Sequence, residues 1–167
     1  MKINTGINLI LWIFIILILF SVFSQVVLGE PWGFASVYGT SMEPTMHFDD
    51  IVFVLPYLSP IMGSPEKGDI IVFERGGEMV MHRVVEITEN GYITKGDNLG
   101  ETDQEMGVHP ITEDQIHGFA PVIDGHPILI PKLGMVTRIV SKNGMRPYVV
   151  AGLLMLFFIC FFFETKS

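Results

Sequence analysis

The stretch MVMHRVVEI at residues 79–87 decides the fold, because it is the longest strand-like run in the chain. Val, Ile and Met fill most of its positions, and β-branched residues favour strands. The dipeptide Asn90-Gly91 follows, which is typical of two-residue hairpin turns, and then Tyr92-Ile93-Thr94. The sequence therefore predicts two antiparallel strands joined by a tight turn.

Shorter runs of the same kind precede this hairpin. IVFVL at residues 51–55 and IIVF at 70–73 are β-branched and aromatic, and the second run ends just before Gly76-Gly77. Short strands with frequent turns, and no helical periodicity between them, favour an antiparallel sheet over alternating strands and helices. We therefore predict a mainly β fold, with an antiparallel β-rich domain over residues 31–135.

The N-terminal segment predicts a membrane anchor over residues 1–30. Residues 7–28 contain no charged residue, and a helix of that length is about 33 Å long, which is enough to cross a bilayer. Residues 25–28 (QVVL) offer no small-x-small site for signal cleavage, so we expect the helix to be retained. Lys2 before it and Glu30 after it favour an internal N-terminus and an external β domain.

The C-terminal segment, residues 136–167, predicts a basic linker and an apolar helix. Residues 148–163 are uncharged but short for a membrane span. A second transmembrane helix is our first interpretation, and a helix lying in the membrane interface is the alternative. Arg138, Lys142 and Arg146 precede the run on the side that the first helix would place outside.

Composition excludes several functional classes. The formal net charge is −8, and all but one of the 18 acidic residues lie within residues 30–146. An acidic domain has no electrostatic footprint for nucleic acid, so we expect no nucleic-acid partner. Cys160 is the single cysteine, which rules out an intrachain disulfide and a cysteine metal cluster.

The octapeptide GTSMEPTM at residues 39–46 supplies a candidate nucleophile. Ser41 stands between the turn formers Gly39 and Pro44. A serine at a tight bend projects its hydroxyl outward, where it can reach a substrate. An ordinary turn is the alternative interpretation, since Gly, Ser and Pro are common turn residues.

A hydroxyl nucleophile needs a base and a group that orients the base. His82 lies within the longest predicted strand, and Asp97 and Asp103 lie in a glycine-containing loop beyond it. The alternative interpretations are a packed histidine and aspartates that cap turns. The order Ser, His, Asp is compatible with a catalytic triad, which is defined by geometry rather than by sequence order.

Four segments together resemble the ordered boxes of type I signal peptidases, in their archaeal and endoplasmic-reticulum branch. They are SMEPT at 41–45, KGDI at 67–70, HRVV at 82–85, and KGDN at 95–98 with Asp103. The resemblance implies a β-rich catalytic domain that cuts secretory signal peptides after small residues, without a metal or cofactor.

The resemblance also implies roles for single residues. Ser41 would be the nucleophile, His82 the general base, Asp103 the orienting carboxylate and Asp97 a supporting residue. In the bacterial branch a lysine base occupies the place of His82. Some members carry a hydroxyl two residues before the nucleophile, where this chain has Gly39. The backbone N–H of Ser41 is therefore the expected oxyanion donor, and the second donor is unassigned.

The expected partners are preproteins, the lipid bilayer, and either the translocon or accessory subunits. We expect an integral membrane protein with its catalytic domain on the exoplasmic side, in an archaeal plasma membrane rather than the endoplasmic reticulum. Specificity for small residues requires shallow apolar pockets, and the candidate lining residues are Met42, Val80, Met81 and Ile51. Core packing is the alternative for each of these residues, and taken singly each residue favours it.

Two other functions remain open from the sequence. A membrane-anchored β domain could be a non-catalytic subunit of a secretion complex. A metallohydrolase could use the metal-capable residues His82, Asp97, Asp103 and His109, although the chain lacks an HExxH spacing.

Overall fold

The computed structural model describes residues 5–58, 63–135, 138, 152 and 155. Helix α1 spans Thr5–Phe23 and continues as a single π-helical turn over Ser24–Leu28. Gly29 follows in the left-handed conformation, with φ of 74°, and ends the helix. Over the part of the chain that is described, no helix meets the length and apolarity required to cross a bilayer. Almost all of the predicted helix at 148–163, and most of the basic linker before it, lies outside the described residues.

Beyond α1, the described residues form β-strands and one short 3-10 helix over Glu113–Gln115. Five further described residues near the C-terminus are helical, namely Gly134, Met135, Arg138, Gly152 and Met155. The strands are β1 (Gly33–Ser36), β2 (Ile51–Pro56), β3 (Ile70–Arg75), β4 (Glu78–Thr88), β5 (Gly91–Lys95), β6 (Ile116–Ala120), β7 (Val122–Ile123), β8 (His126–Pro127) and β9 (Leu129–Ile130).

The prediction of a mainly antiparallel β fold is confirmed. One sheet has the strand order β1-β2-β6-β3-β4-β5, with β9 beside β2, and β7 pairs separately with β8. Every pairing is antiparallel. Strand β6 inserts between β2 and β3, so strands that follow each other in the chain are separated in the sheet.

The two predicted hairpins form around β4. The turn between β3 and β4 consists of Gly76 and Gly77, with φ of 62° and 84°, and two positive φ values match the twist of a tight hairpin. Thr88 pairs with Gly91 across the second hairpin, so its turn residues are Glu89 and Asn90, one position earlier than predicted. Both hairpins place β4 between β3 and β5, and this fixes the position of its polar side chains.

At β3, the sheet is buried on both faces. Ile70 and Val72 of β3 pack into a first core cluster with Met42 and Met46 from the turn before β2. Ile71 and Phe73 alternate with them and face a second cluster that includes Val84. Side chains alternate between the faces along a strand, so β3 needs apolar residues at consecutive positions.

The end of α1 docks closely against β1. Ser21 Oγ accepts a hydrogen bond from Phe34 N at 2.9 Å, and Gln25 Nε2 donates to Phe34 O at 2.8 Å. A Cβ on Gly33 would lie 2.5 Å from Ser21 Cβ, and the φ of Gly33 is +86°. Glycine is therefore required at this position both for space and for backbone conformation.

Candidate active site

Ser41 lies in a turn that the hydrophobic core holds in place. The turn covers residues 41–45 and lies between β1 and β2. Met42 is 3% exposed and packs into the first core cluster, and Met46 N donates to Met42 O at 3.0 Å. Because the neighbouring methionine is buried, the serine turn is attached to the core, and Ser41 itself is partly exposed.

His82 is fully buried in the middle of β4. It pairs with Ile71 of β3 and faces the second core cluster. Its ring meets Phe73 edge-on, with a centroid distance of 6.2 Å. The Nε2 atom lies 3.0 Å from Ser41 Oγ. The imidazole is thus shielded from water, and its Nε2 atom faces the serine hydroxyl.

Asp103 lies on the other side of the same imidazole. Its Oδ2 atom is 2.7 Å from His82 Nδ1 and accepts a hydrogen bond from Thr94 Oγ1 at 2.7 Å. Its Oδ1 atom accepts a hydrogen bond from Arg75 Nη1 at 2.5 Å. The backbone N–H of Asp103 donates to Thr94 O at 2.8 Å, which fixes the loop to β5.

The environment of Asp103 keeps its carboxylate ionised. Burial acts to raise its pKa, but hydrogen bonds from His82 and Thr94, together with the charges of His82 and Arg75, lower the pKa below its ordinary value. A carboxylate that accepts from Nδ1 leaves Nε2 without a proton, ready to accept one from Ser41. This arrangement has the chemistry of a nucleophile, a base and an orienting group.

Asp97 lies in a separate network that does not include the imidazole. It accepts from Arg83 Nε at 2.8 Å and from Arg83 Nη2 at 2.7 Å, a bidentate pair. It also accepts from Thr45 Oγ1 at 2.5 Å, and Arg83 Nη1 donates to Gly68 O at 2.8 Å. Burial acts to raise the pKa of Asp97, but its bonds to Arg83 and Thr45 lower that pKa overall. The bond to Asp97 raises the pKa of Arg83.

The loop after β5 also holds the backbone of the serine turn. Asn98 N donates to Ser41 O at 2.8 Å, and Asn98 Nδ2 donates to Thr40 O at 3.1 Å. Gly96 allows this close approach, because a Cβ there would lie 2.6 Å from Ser41 O and 3.0 Å from Ser41 Cβ. The KGDN segment therefore positions Ser41 through contacts that only a glycine at position 96 permits.

The candidate oxyanion donor, the backbone N–H of Ser41, has no hydrogen-bond partner in the described part of the chain. A Cβ on Gly39 would lie 3.9 Å from both Ser41 N and Ser41 Oγ, so residue 39 lies beside both atoms. The structure assigns no second donor among the described side chains.

The four candidate pocket residues pack in or against the core, which is the alternative role predicted for them from the sequence. Val80 pairs with Phe73 and packs against the second core cluster, whereas Met81 pairs with Val72 and packs against the first. Adjacent residues of a strand point to opposite faces, so these two side chains cannot line one pocket. Met42 and Ile51 are 3% and 6% exposed and lie in the packed interior.

Sequence reasoning missed two residues that contact Asp103. The sequence predicts only a strand position for Thr94 and no role for Arg75, which ends β3 just before the Gly76-Gly77 turn. Nothing in the local sequence marks either residue, because both contacts depend on the pairing of β3, β4 and β5. His109, named for a metal site, is exposed. In the described ranges, His, Cys, Asp and Glu side chains form no group of three or more arranged to hold a metal ion.

Two comparisons with known proteins bear on this site. A profile of the Peptidase S24-like family matches residues 20–116, a range that contains the serine turn, His82 and Asp103. The chain is also 28% identical over 124 residues to the signal peptidase complex catalytic subunit SEC11 of Scheffersomyces stipitis, covering 71% of each chain.

Proposed function

The chain belongs to the Peptidase S24-like family, and from this premise we propose that it is a membrane-bound serine endopeptidase that removes signal peptides from preproteins. The resemblance to the archaeal and endoplasmic-reticulum branch of type I signal peptidases is confirmed. The observation that carries the proposal is the chain of contacts from Ser41 Oγ to His82 Nε2 at 3.0 Å and from His82 Nδ1 to Asp103 Oδ2 at 2.7 Å.

In the proposed reaction, Ser41 Oγ attacks the scissile carbonyl while His82 Nε2 takes the hydroxyl proton. The tetrahedral intermediate collapses to an acyl-enzyme, and His82 gives its proton to the departing amine of the mature protein. Water then attacks the acyl-enzyme, with His82 again as the base, and releases the signal peptide. Asp103 stays ionised throughout, because its role is to hold the imidazole and stabilise the imidazolium.

The oxyanion of each tetrahedral intermediate needs donors that are already in place. The backbone N–H of Ser41 is the proposed donor, and the contacts of Asn98 and Gly96 with Ser41 fix the peptide that carries it. Removing one such donor costs about 10²–10³ in kcat in other serine hydrolases. The rigidity of this turn therefore contributes directly to the proposed rate.

We propose that residues 7–28 anchor the enzyme in the bilayer with the β domain on the exoplasmic side. The uncharged sequence of this segment supports the anchor. The bonds of Ser21 and Gln25 to Phe34 support a fixed connection between helix and sheet. An enzyme tethered at the surface meets membrane-embedded signal peptides at a raised effective concentration. Accessory subunits are proposed as partners, since the relative from Scheffersomyces stipitis is named as part of a complex.

The test is cleavage of a preprotein by the purified full-length chain in detergent or lipid. The expected products are a mature protein and a signal peptide cut after a small residue, identified by mass spectrometry. Activity should persist in the presence of chelators, and a serine-reactive acylating probe should label Ser41 and block cleavage. A protein that binds the preprotein, leaves it intact and does not react with the probe would instead be a non-catalytic subunit.

A further inference from the structure

The carboxylate of Asp103 makes more hydrogen bonds than are needed to orient the imidazole of His82. His82 Nδ1 and Thr94 Oγ1 both contact its Oδ2 atom, each at 2.7 Å. The second oxygen, Oδ1, has a partner of a different kind, the guanidinium of Arg75 at 2.5 Å. Asp103 is fully buried, whereas the Arg75 side chain is 38% exposed, so Arg75 reaches the buried carboxylate from the surface.

Arg75 is placed for this contact by the hairpin. It is the last residue of β3 and pairs with Glu78 across the Gly76-Gly77 turn. Residues at alternate positions of a strand share a face, so Arg75 lies on the face of Ile71 and Phe73, the same face that His82 occupies. The tight turn thus fixes the end of the strand from which the guanidinium extends.

The charges of the site explain why a cation beside Asp103 Oδ1 would keep His82 neutral. Desolvation penalises an unpaired buried carboxylate strongly, and such a group tends to acquire a proton or a protonated neighbour. If Asp103 faced only Thr94 and His82, the nearest group able to neutralise it would be the imidazole. A charged imidazole cannot accept the Ser41 proton. With Arg75 present, the resting pair of Asp103 and Arg75 is neutral and His82 can also remain neutral.

We propose that Arg75 is a positioning residue of the active site, which holds the Asp103 carboxylate ionised and correctly oriented so that His82 rests as a neutral base. This proposal rests on the proposed peptidase function. Arg75 acts through Asp103 and contacts neither the serine nor the cleaved bond. The charge of Arg75 is among the influences that lower the pKa of Asp103. Two other charged groups close to His82, the side chains of Asp97 and Arg83, are paired with each other.

The proposal is tested with purified full-length Arg75→Met, Arg75→Lys and Glu78→Gln on a preprotein. Glu78→Gln is the matched control, because it removes a charge from the paired position of the same hairpin without touching Asp103. Arg75→Met should lower kcat about tenfold or more, the size expected when a charged hydrogen bond to a buried group is lost. KM should change less than about twofold, since Arg75 does not contact substrate.

Two further readouts separate this role from a purely structural one. Arg75→Lys keeps a cation and should recover most of the lost kcat. Removing the positive charge favours a protonated imidazole, so the acid limb of kcat/KM should move to higher pH in Arg75→Met and stay in place in Arg75→Lys and Glu78→Gln. Thermal unfolding of every variant is measured alongside the kinetics.

The outcomes distinguish this proposal from the proposed function. Absence of cleavage by the wild-type chain would remove the peptidase assignment itself. Cleavage by wild type together with an unchanged kcat in Arg75→Met would overturn the role of Arg75 alone. Equal losses of kcat in Arg75→Met and Arg75→Lys would make Arg75 a structural residue. A loss of kcat that is proportional to the drop in melting temperature would lead to the same conclusion. If Arg75→Met does not fold, Arg75→Gln replaces it, and a wild-type kcat and pH profile in that variant would also overturn the proposal.

Discussion

The Oδ2 atom of Asp97 accepts a hydrogen bond from Thr45 Oγ1 at 2.5 Å. Thr45 is the last residue of the turn that begins with Ser41. Two nitrogens of Arg83 also donate hydrogen bonds to the Asp97 carboxylate. Asp97 therefore connects the turn that carries the serine to the strand that carries the histidine. Asp103, in contrast, contacts the imidazole directly at 2.7 Å. The two carboxylates of one loop have different positions and should have different functions.

Replacement of Asp103 should affect the chemical step far more than replacement of Asp97. Asp103→Asn should lower kcat by about 10⁴, because an amide at this position favours the wrong imidazole tautomer. Asp97→Asn should lower kcat less than Asp103→Asn does, and it should also lower the melting temperature. Steady-state kinetics and thermal unfolding of both variants check this. A stable but inactive Asp97→Asn beside an active Asp103→Asn would reverse the two roles.

The Asp97–Arg83 pair should contribute measurable stability near neutral pH. In Asp97→Asn the partly buried guanidinium of Arg83 loses the carboxylate that pairs with it, which should lower the free energy of unfolding by about 1–3 kcal/mol. Urea unfolding of wild type and variant at pH 6 measures the difference. Glu89→Gln is a suitable control, because Glu89 is exposed in the turn between β4 and β5. Equal unfolding midpoints for wild type and Asp97→Asn would show that the pair contributes nothing to folding.

The same carboxylates predict how stability depends on pH. The pKa values of Asp97 and Asp103 are lowered by folding, whereas an unfolded aspartate titrates near about pH 3.9. Their stabilising effect is therefore complete above about pH 4 and is lost as the pH falls through the lower folded-state values. Urea midpoints from pH 6 down to pH 2 should decline below about pH 4. The decline should be shallower in Asp97→Asn, and identical slopes in both proteins would contradict a lowered pKa of Asp97 in the folded state.

Gly96 offers a test of the serine turn that changes no polar group. A Cβ at position 96 would lie 2.6 Å from Ser41 O, whereas a Cβ at Gly100 in the same loop would meet no atom within 4 Å. Gly96→Ala should displace Ser41 and lower kcat about 100-fold, the usual effect of a displacement near 1 Å. Gly100→Ala is the matched control and should retain activity. Similar kinetics in the two variants would mean that the loop does not position the serine.

His82 should be irreplaceable by a packing residue or by a different base. His82→Leu fills the apolar site beside Phe73 but cannot accept a proton, so cleavage should fall by about four orders of magnitude or more. His82→Lys should also be inactive, because a lysine beside the ionised Asp103 keeps its charge. Initial cleavage rates from pH 5 to 9 check both variants and the acid limb of the wild type, which should fall about one decade per pH unit. Activity of His82→Leu near that of wild type would remove the histidine from the mechanism.

Local sequence was sufficient to predict the central part of the sheet. The β-branched runs and the two glycine-containing turns predicted β2 to β5 within one or two residues of their observed ends. Such signals are local, because strand periodicity and turn residues depend on near neighbours. The insertion of β6 between β2 and β3 could not be predicted in this way, since it depends on contacts between residues far apart in the chain.

In the candidate site too, some residues could be predicted from the sequence and others depend on contacts between distant parts of the chain. Residue types and the resemblance predict a site made of Ser41, His82, Asp97 and Asp103. The structure places three of them, Ser41, His82 and Asp103, in one hydrogen-bonded series. Their catalytic roles stay predictions. Arg75 could not be found from the sequence, because an arginine at a hairpin is ordinarily a solvated residue. Its contact with Asp103 depends on how β3, β4 and the loop after β5 assemble.

The central claim is that Ser41 cleaves signal peptides, and a paired assay of purified wild type and Ser41→Ala on one preprotein tests it most directly. Ser64→Ala is the control, because Ser64 is an exposed serine that bonds Glu113 away from the site. Wild type and Ser64→Ala should release mature protein at similar rates. The cleavage rate of a folded Ser41→Ala should be lower by a factor of about 10⁴ or more. Cleavage by a well-folded Ser41→Ala at the wild-type rate would contradict the account.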